Sequence, residues 1–258
     1  MPLPRWTQWL SLLGPLLAGG AARIALDVPV QVATGVSPTL FTAMADELLV
    51  LRDGQLVALD GLGHERVVLS RMPEDALAVT ADYAGRVFWA QPGWLNVLDT
   101  VTGQAVRVSS PTLTALVWSC DRVVGLGTDG ASLVTWDPRA LDRAPLTTIP
   151  IAATPSATVL GLYPGGECGR VGAWTATEVG ALALPDGGFS PRFFAEASDA
   201  RLYGDKLVTL EGDDVVLRSG QDPPRRRTLH LARRLAGQFT GGPAVLTGEG
   251  VVLALPLW

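Results

Sequence analysis

Lysine is almost missing from this chain: Lys206 is the only one in 258 residues, and Asn96 is the only asparagine. Histidine is confined to His64 and His230, and cysteine to Cys120 and Cys168. That scarcity leaves little for a histidine-built metal site or a Ser-His-Asp triad, both of which need several convergent side chains. Charge is sparse as well. Charged residues make up 17%, the net charge is −5 and the pI is near 5.0. Nothing there draws the chain to nucleic acid or to an anionic membrane surface. Apolar residues are plentiful at 48%, enough for a true core and too many for a disordered chain. The 29 glycines and 19 prolines predict many turns.

The first segment reads MPLPRWTQWLSLLGPLLAGGAARIALD. Arg5 gives a charged start, Trp6 to Leu17 a short apolar stretch, and Gly19 to Ala22 a run of small residues. This is signal-peptide grammar, with cleavage after Ala22. A buried N-terminal helix is the alternative. A spanning helix needs about 20 apolar residues, and this stretch is shorter and interrupted by Pro15. No other segment is long and apolar enough to span. The expected organisation is a signal peptide over 1–22 and one domain over 23–258, secreted or periplasmic, monomeric and without stable membrane insertion. Export makes a disulfide chemically permissible.

Two series of short apolar runs repeat along the domain. The first series begins at Leu48, Val87, Val123, Val171, Leu207 and Ala244, with spacings of 39, 36, 48, 36 and 37. The second begins at Leu56, Leu95, Leu133, Val179, Val215 and Val251, spaced 39, 38, 46, 36 and 36. Both series keep one period and place the long insertion in the same unit. A period near 40 with several short strands per unit marks a propeller blade. The two runs are joined by acidic-Gly turns such as Asp53-Gly54 and Asp129-Gly130, which are hairpin chemistry. We name them strands B and C of each blade. Flanking runs supply an inner strand A, such as Leu113–Leu116 in the third unit and Thr158–Gly161 in the fourth, and an outer strand D, such as Thr228–Leu231 in the fifth unit.

The sixth unit ends at Trp258 without a strand D, while Leu26–Val32 has no other place in the repeat. An unpaired edge invites aggregation. The expected fold is therefore an all-β, six-bladed β-propeller whose N-terminal strand completes the last blade. Pro29 is tolerable there because an outermost strand has one unbonded edge. The segments LNVLDTVTG at Leu95–Gly103 and LVALD at Leu56–Asp60 resemble the strand-C-plus-turn signature of quinoprotein-like and YVTN-type propellers. The resemblance implies the architecture. Quinoprotein enzymes of that type have eight blades and a cofactor floor; six units fit here, and no cofactor is expected.

In a four-stranded blade the A–B and C–D turns share one face, and the B–C and D–A loops the other. The first face has a regular feature: Arg86, Arg122, Arg170 and Lys206 each open strand B in consecutive blades. A–B turns lie near the axis, so these cations form an arc that suits an anionic ligand or an acidic partner. Solvated turn residues are the plainer alternative, with Asp121 and Asp205 adjacent to two of them. Cys120 and Cys168 occupy matching slots in neighbouring blades, where a disulfide competes with two free thiols. The opposite face carries Asp53, Glu74, Asp75, Asp129, Glu178, Glu196, Glu211, Asp213, Asp214 and Glu249. Many of these are ordinary turn acids, and no metal site is expected. Trp94, after Pro92-Gly93, is the one aromatic singled out for ligand contact, with core packing as its alternative. His64, His230 and the Pro223–Arg227 run are assigned to outer strands.

No catalytic set assembles from these residues. The expected function is an exported binding or scaffolding module for a protein or small anionic ligand, not for nucleic acid. The alternatives are an exported hydrolase or lyase of the lactonase or sugar-lyase kind, and a purely structural envelope protein.

Overall fold

The computed structural model describes residues 29–44, 47–60, 63–138, 146–152, 158–164, 167–203, 206–220, 222–239 and 242–255. The expected signal peptide at 1–22 lies outside these residues. No helix among them is long and apolar enough to cross a membrane.

The described chain forms six four-stranded antiparallel sheets. Strand β1 (Val30–Ala33) comes first in sequence. Blade one is β2 (Ser37–Met44), β3 (Glu47–Arg52), β4 (Gln55–Leu59) and β5 (Glu65–Leu69). Blade two is β6 (Ala78–Ala81), β7 (Arg86–Gln91), β8 (Trp94–Asp99) and β9 (Ala105–Ser109). Blade three is β10 (Leu113–Ser119), β11 (Arg122–Gly127), β12 (Ser132–Trp136) and β13 (Thr147–Pro150). Blade four is β14 (Gly161–Tyr163), β15 (Arg170–Trp174), β16 (Glu178–Ala183) and β17 (Phe189–Phe194). Blade five is β18 (Asp199–Tyr203), β19 (Lys206–Glu211), β20 (Asp214–Ser219) and β21 (Arg225–Thr228). Blade six is β22 (Ala232–Phe239), β23 (Gly242–Thr247) and β24 (Val252–Ala254), with β1 as its outermost strand.

The inner strands β2, β6, β10, β14, β18 and β22 each neighbour the next, and β22 returns to β2. The blades therefore stand in a closed ring, and the fold is a six-bladed β-propeller.

The core is six separate seams, one between each pair of blades. Leu48, Val50, Val57 and Leu59 of blade one pack on Ala236, Ala244, Leu246 and Val252 of blade six. The intervening Leu49, Leu56 and Ala58 face Val79, Val87 and Trp89 of blade two. Alternate residues thus bury into opposite seams. This explains why strands B and C read as unbroken apolar runs: both of their faces are covered. Strand D has only its inner side covered, and β9 alternates exposed and half-buried residues.

Local chemistry sets the turns. Asp53 and Gly54 both have positive φ, at 50° and 75°. That pair is the two-residue turn whose twist matches the flanking strands. In blade four, glycine serves close approach. A Cβ on Gly161 would sit 2.2 Å from the Trp174 ring, and one on Gly172 would sit 2.0 Å from the Tyr163 ring. Two large aromatics fit in that blade because their cross-strand partners have no side chain.

Three strands differ from the expected positions. The closing strand is described at Val30–Ala33 rather than Leu26–Val32, and residues 26–28 of the expected span lie outside the described residues. Strand A of blade four is Gly161–Tyr163 and not Thr158–Gly161. Strand D of blade five is Arg225–Thr228, so the arginine run is the strand itself and His230 lies in the turn after it. An outermost strand can be polar on its exposed side, so apolarity is a poor guide to its position.

Candidate functional site

The strand-B openers come to the A–B and C–D face, as their places in the repeat require. Their surroundings differ sharply. The Arg86 Nε donates to Asp82 Oδ2 at 2.5 Å, and its Nη1 donates to the Pro138 carbonyl at 3.1 Å. Its guanidinium also lies 5.9 Å from the Trp118 ring centroid. The Asp82 side chain is only 1% exposed and also accepts the Ala84 and Arg86 backbone N–H groups. Arg86 is therefore a clasp between blades two and three.

Arg122 and Arg170 are different. Their side chains are 44% and 52% exposed. Arg122 Nε is 3.4 Å from Asp121, and Arg170 Nε is 3.9 Å from Glu167. Exposed pairs at such separations contribute little and leave donors open to solvent. Lys206 is half-buried at the start of β19.

Between Arg122 and Arg170 lies a disulfide joining Cys120 to Cys168, with Cα atoms 5.5 Å apart. It ties the A–B turn of blade three to that of blade four. Ser119 Oγ adds a hydrogen bond to the Arg170 carbonyl at 3.0 Å. Beside the disulfide is an open cavity of about 720 Å³. Its wall includes Asp121, Arg122, Thr135, Thr147 and both cysteines, with Leu184 and Pro185 on the blade-four side. The structure thus brings Arg122 and the disulfide to one cavity and sets Arg170 beside it.

Trp94 opens strand C of blade two, directly after the Pro92-Gly93 turn, and is 38% exposed. The guanidinium of Arg107, from β9, lies 4.1 Å above its ring. That partner comes from the outermost strand of the blade, away from the arc.

Several acids of the opposite face are already bound. Glu211 meets Arg218 at 2.5 Å and Arg226 at 3.3 Å. Asp214 accepts a hydrogen bond from Thr228 Oγ1 at 2.6 Å, and Asp75 accepts one from Gln91 at 2.7 Å. Asp129 accepts the Ala131 N–H, which holds its carboxyl below the usual range, with smaller help from Ser132. Among the described residues no three His, Cys, Asp or Glu side chains gather as a metal set.

One polar cluster escaped sequence reasoning. Asp199 opens the inner strand β18 and is 1% exposed. It binds Arg201 Nη1 at 2.6 Å and the Leu235 N–H of blade six at 2.8 Å. Arg234 Nε stands 3.6 Å away from it. Arg201 also lies 5.9 Å from the Trp174 ring centroid. Burial pushes the Arg234 guanidinium below its ordinary value; Asp199 opposes that shift and Arg201 adds to it. The available signal was a charged pair, Asp199 and Arg201, inside a strand whose counterparts are mostly apolar. Blade seams also hold the buried indole N–H groups of Trp89, Trp118 and Trp136, which find no acceptor among the described residues.

No protein-family model matches the chain, and no curated protein matches it in sequence. Solved structures do match in shape. A chain of the mitotic checkpoint complex superposes with a TM-score of 0.64 at 8% identity, covering 90% of this chain and 91% of that one. Virginiamycin B lyase from Staphylococcus aureus gives 0.58 at 12% identity, covering 84% and 80%. The extracellular domain of a hybrid two-component system from B. thetaiotaomicron also gives 0.58 at 11% identity; this chain covers 32% of its length. At such identities the likeness is one of fold.

Proposed function

We propose that this chain is an exported binding module that holds an acidic protein segment or small anionic ligand at its A–B and C–D face. The observation that carries the reading is the cavity beside the disulfide, with exposed Arg122 on its wall and Arg170 adjacent. A covalent tie between the two turns fixes their spacing before any partner arrives. Preorganisation of that kind lowers the entropy cost of binding. Blade two adds Tyr83 and Val101, 83% and 80% exposed, in its A–B and C–D turns on the same face. Export is supported by the disulfide, by the signal grammar of residues 1–22 and by the fold shared with an extracellular domain.

The test is fluorescence anisotropy with a labelled Asp- and Glu-rich peptide. Binding is expected to weaken with salt and to vanish in the Arg122→Glu/Arg170→Glu double variant. Unchanged binding in that variant sinks the reading. The hydrolase or lyase alternative needs a polar set at the axis. Asn96 is poorly placed for it: its Nδ2 donates to the Trp89 carbonyl and to Gln91 Oε1 within blade two.

A further inference from the structure

The polar cluster between blades five and six contains one acid and two arginines. Asp199 is fully engaged by the Ala200 and Leu235 N–H groups and by Arg201 Nη1. These contacts already clasp β18 to β22. Arg234 is within ion-pair range of Asp199 at 3.6 Å but makes no hydrogen bond to it, because that separation is too long. Among the described residues its guanidinium has no hydrogen-bond acceptor, although the group carries five N–H donors. The Arg234 side chain is 41% exposed. One negative charge against two positive ones leaves a partly desolvated cation with its donors unfilled.

A planar fork of this kind matches a carboxylate, whose two oxygens accept parallel N–H bonds. The same B–C and D–A end of the ring also exposes apolar side chains. Leu231, three residues before Arg234, is 43% exposed and held at φ 61°, an unusual conformation for a bulky residue. Leu160 is 55% exposed, and its N–H bonds the carbonyl of Trp174, whose ring lies near Arg201.

We propose that Arg234, with Arg201 behind it, is a binding site for a carboxylate carried on an apolar body. It lies at the B–C and D–A end of the inner strands, the opposite end from the disulfide cavity. Its failure would leave the function proposed above untouched.

The experiment is an amide NMR titration of the full chain with phenylacetate, phenylacetamide and inorganic phosphate. Saturable shifts at Ala200 and Leu235 are expected with phenylacetate alone. Arg234→Gln should weaken that binding by about tenfold or more, and Arg234→Lys by less, because it keeps the charge and loses the fork. Equal response to the amide or to phosphate overturns the proposal, as does wild-type affinity in Arg234→Gln. Shifts confined to other regions of the wild-type protein overturn it without any variant.

Discussion

Two seams of this ring are joined by different physics. Between blades six and one, closure uses strands from opposite ends of the described chain. Val30, Gln31 and Ala33 pair with Ala254, Leu253 and Val252, and the Val36 N–H bonds the Gly250 carbonyl at 3.0 Å. Around them a tight apolar cluster buries Leu48, Val50, Leu246 and Val252 almost completely. Between blades three and four the inner strand β14 has only three residues, against eight in β2 and β22. There the Cys120–Cys168 bond supplies a covalent tie across the turns. The comparison teaches that a propeller can secure its ring by a borrowed outer strand in one place and by a covalent crosslink in another. The two devices fail under different challenges, one to truncation and one to reduction.

Truncation is the harsher of the two. Removing residues 23–33 strips β1 from β24 and exposes an edge in blade six. The melting temperature followed by circular dichroism should fall by more than about 10 °C, or cooperative melting should disappear. Unchanged melting would show that β1 does not hold the ring. Opening the other seam costs less. Cys120→Ser with Cys168→Ser releases a crosslink between residues 48 apart in sequence, for which loop entropy allows about 4 kcal/mol at most. Denaturant unfolding should show a loss of about 2–4 kcal/mol, with hydrogen exchange rising first in blades three and four. Uniform exchange across all blades would contradict a local tie.

Blade four offers a pH probe of the same region. Burial pushes the Tyr163 phenol up to about 12, with Arg192 pulling slightly the other way, and its hydroxyl donates to the Gly180 carbonyl at 2.7 Å. The fold therefore keeps the phenol protonated after the unfolded chain has lost its proton near pH 10. That stabilisation is complete below pH 10 and disappears as pH rises through about 12, and it amounts to roughly 2–3 kcal/mol. Tyr163→Phe should flatten this alkaline loss in urea titrations; an identical loss in the variant would exclude Tyr163 as its source. The smallest effect on stability belongs to Arg122→Glu with Arg170→Glu. Both pairs are exposed, so the unfolding free energy should move by no more than about 0.5 kcal/mol while acidic-peptide binding is lost. A large destabilisation would recast these cations as part of the seam.

The repeat was legible because it is written in local pattern. Strands B and C are covered on both faces, so each appears as an apolar run. The turns between them need acidic residues and glycine for backbone reasons alone. The outer strands were less legible: β21 is Arg225–Thr228, while the more apolar Leu229–Leu231 that follows it resembled a strand. The cationic series was found at its correct positions, yet its members differ in ways no single blade records. Arg86 is consumed by Asp82 and by Pro138, 52 residues away.

By itself, then, the sequence determined the number of blades, the order of strands and which residues open strand B. Those follow from periodicity and turn chemistry acting over a few residues. Only the tertiary structure decided which cations stay open to solvent, that Cys120 meets Cys168, and that Asp199, Arg201 and Arg234 converge. Such outcomes depend on side chains from neighbouring blades meeting across a seam, at separations where local pattern has no reach.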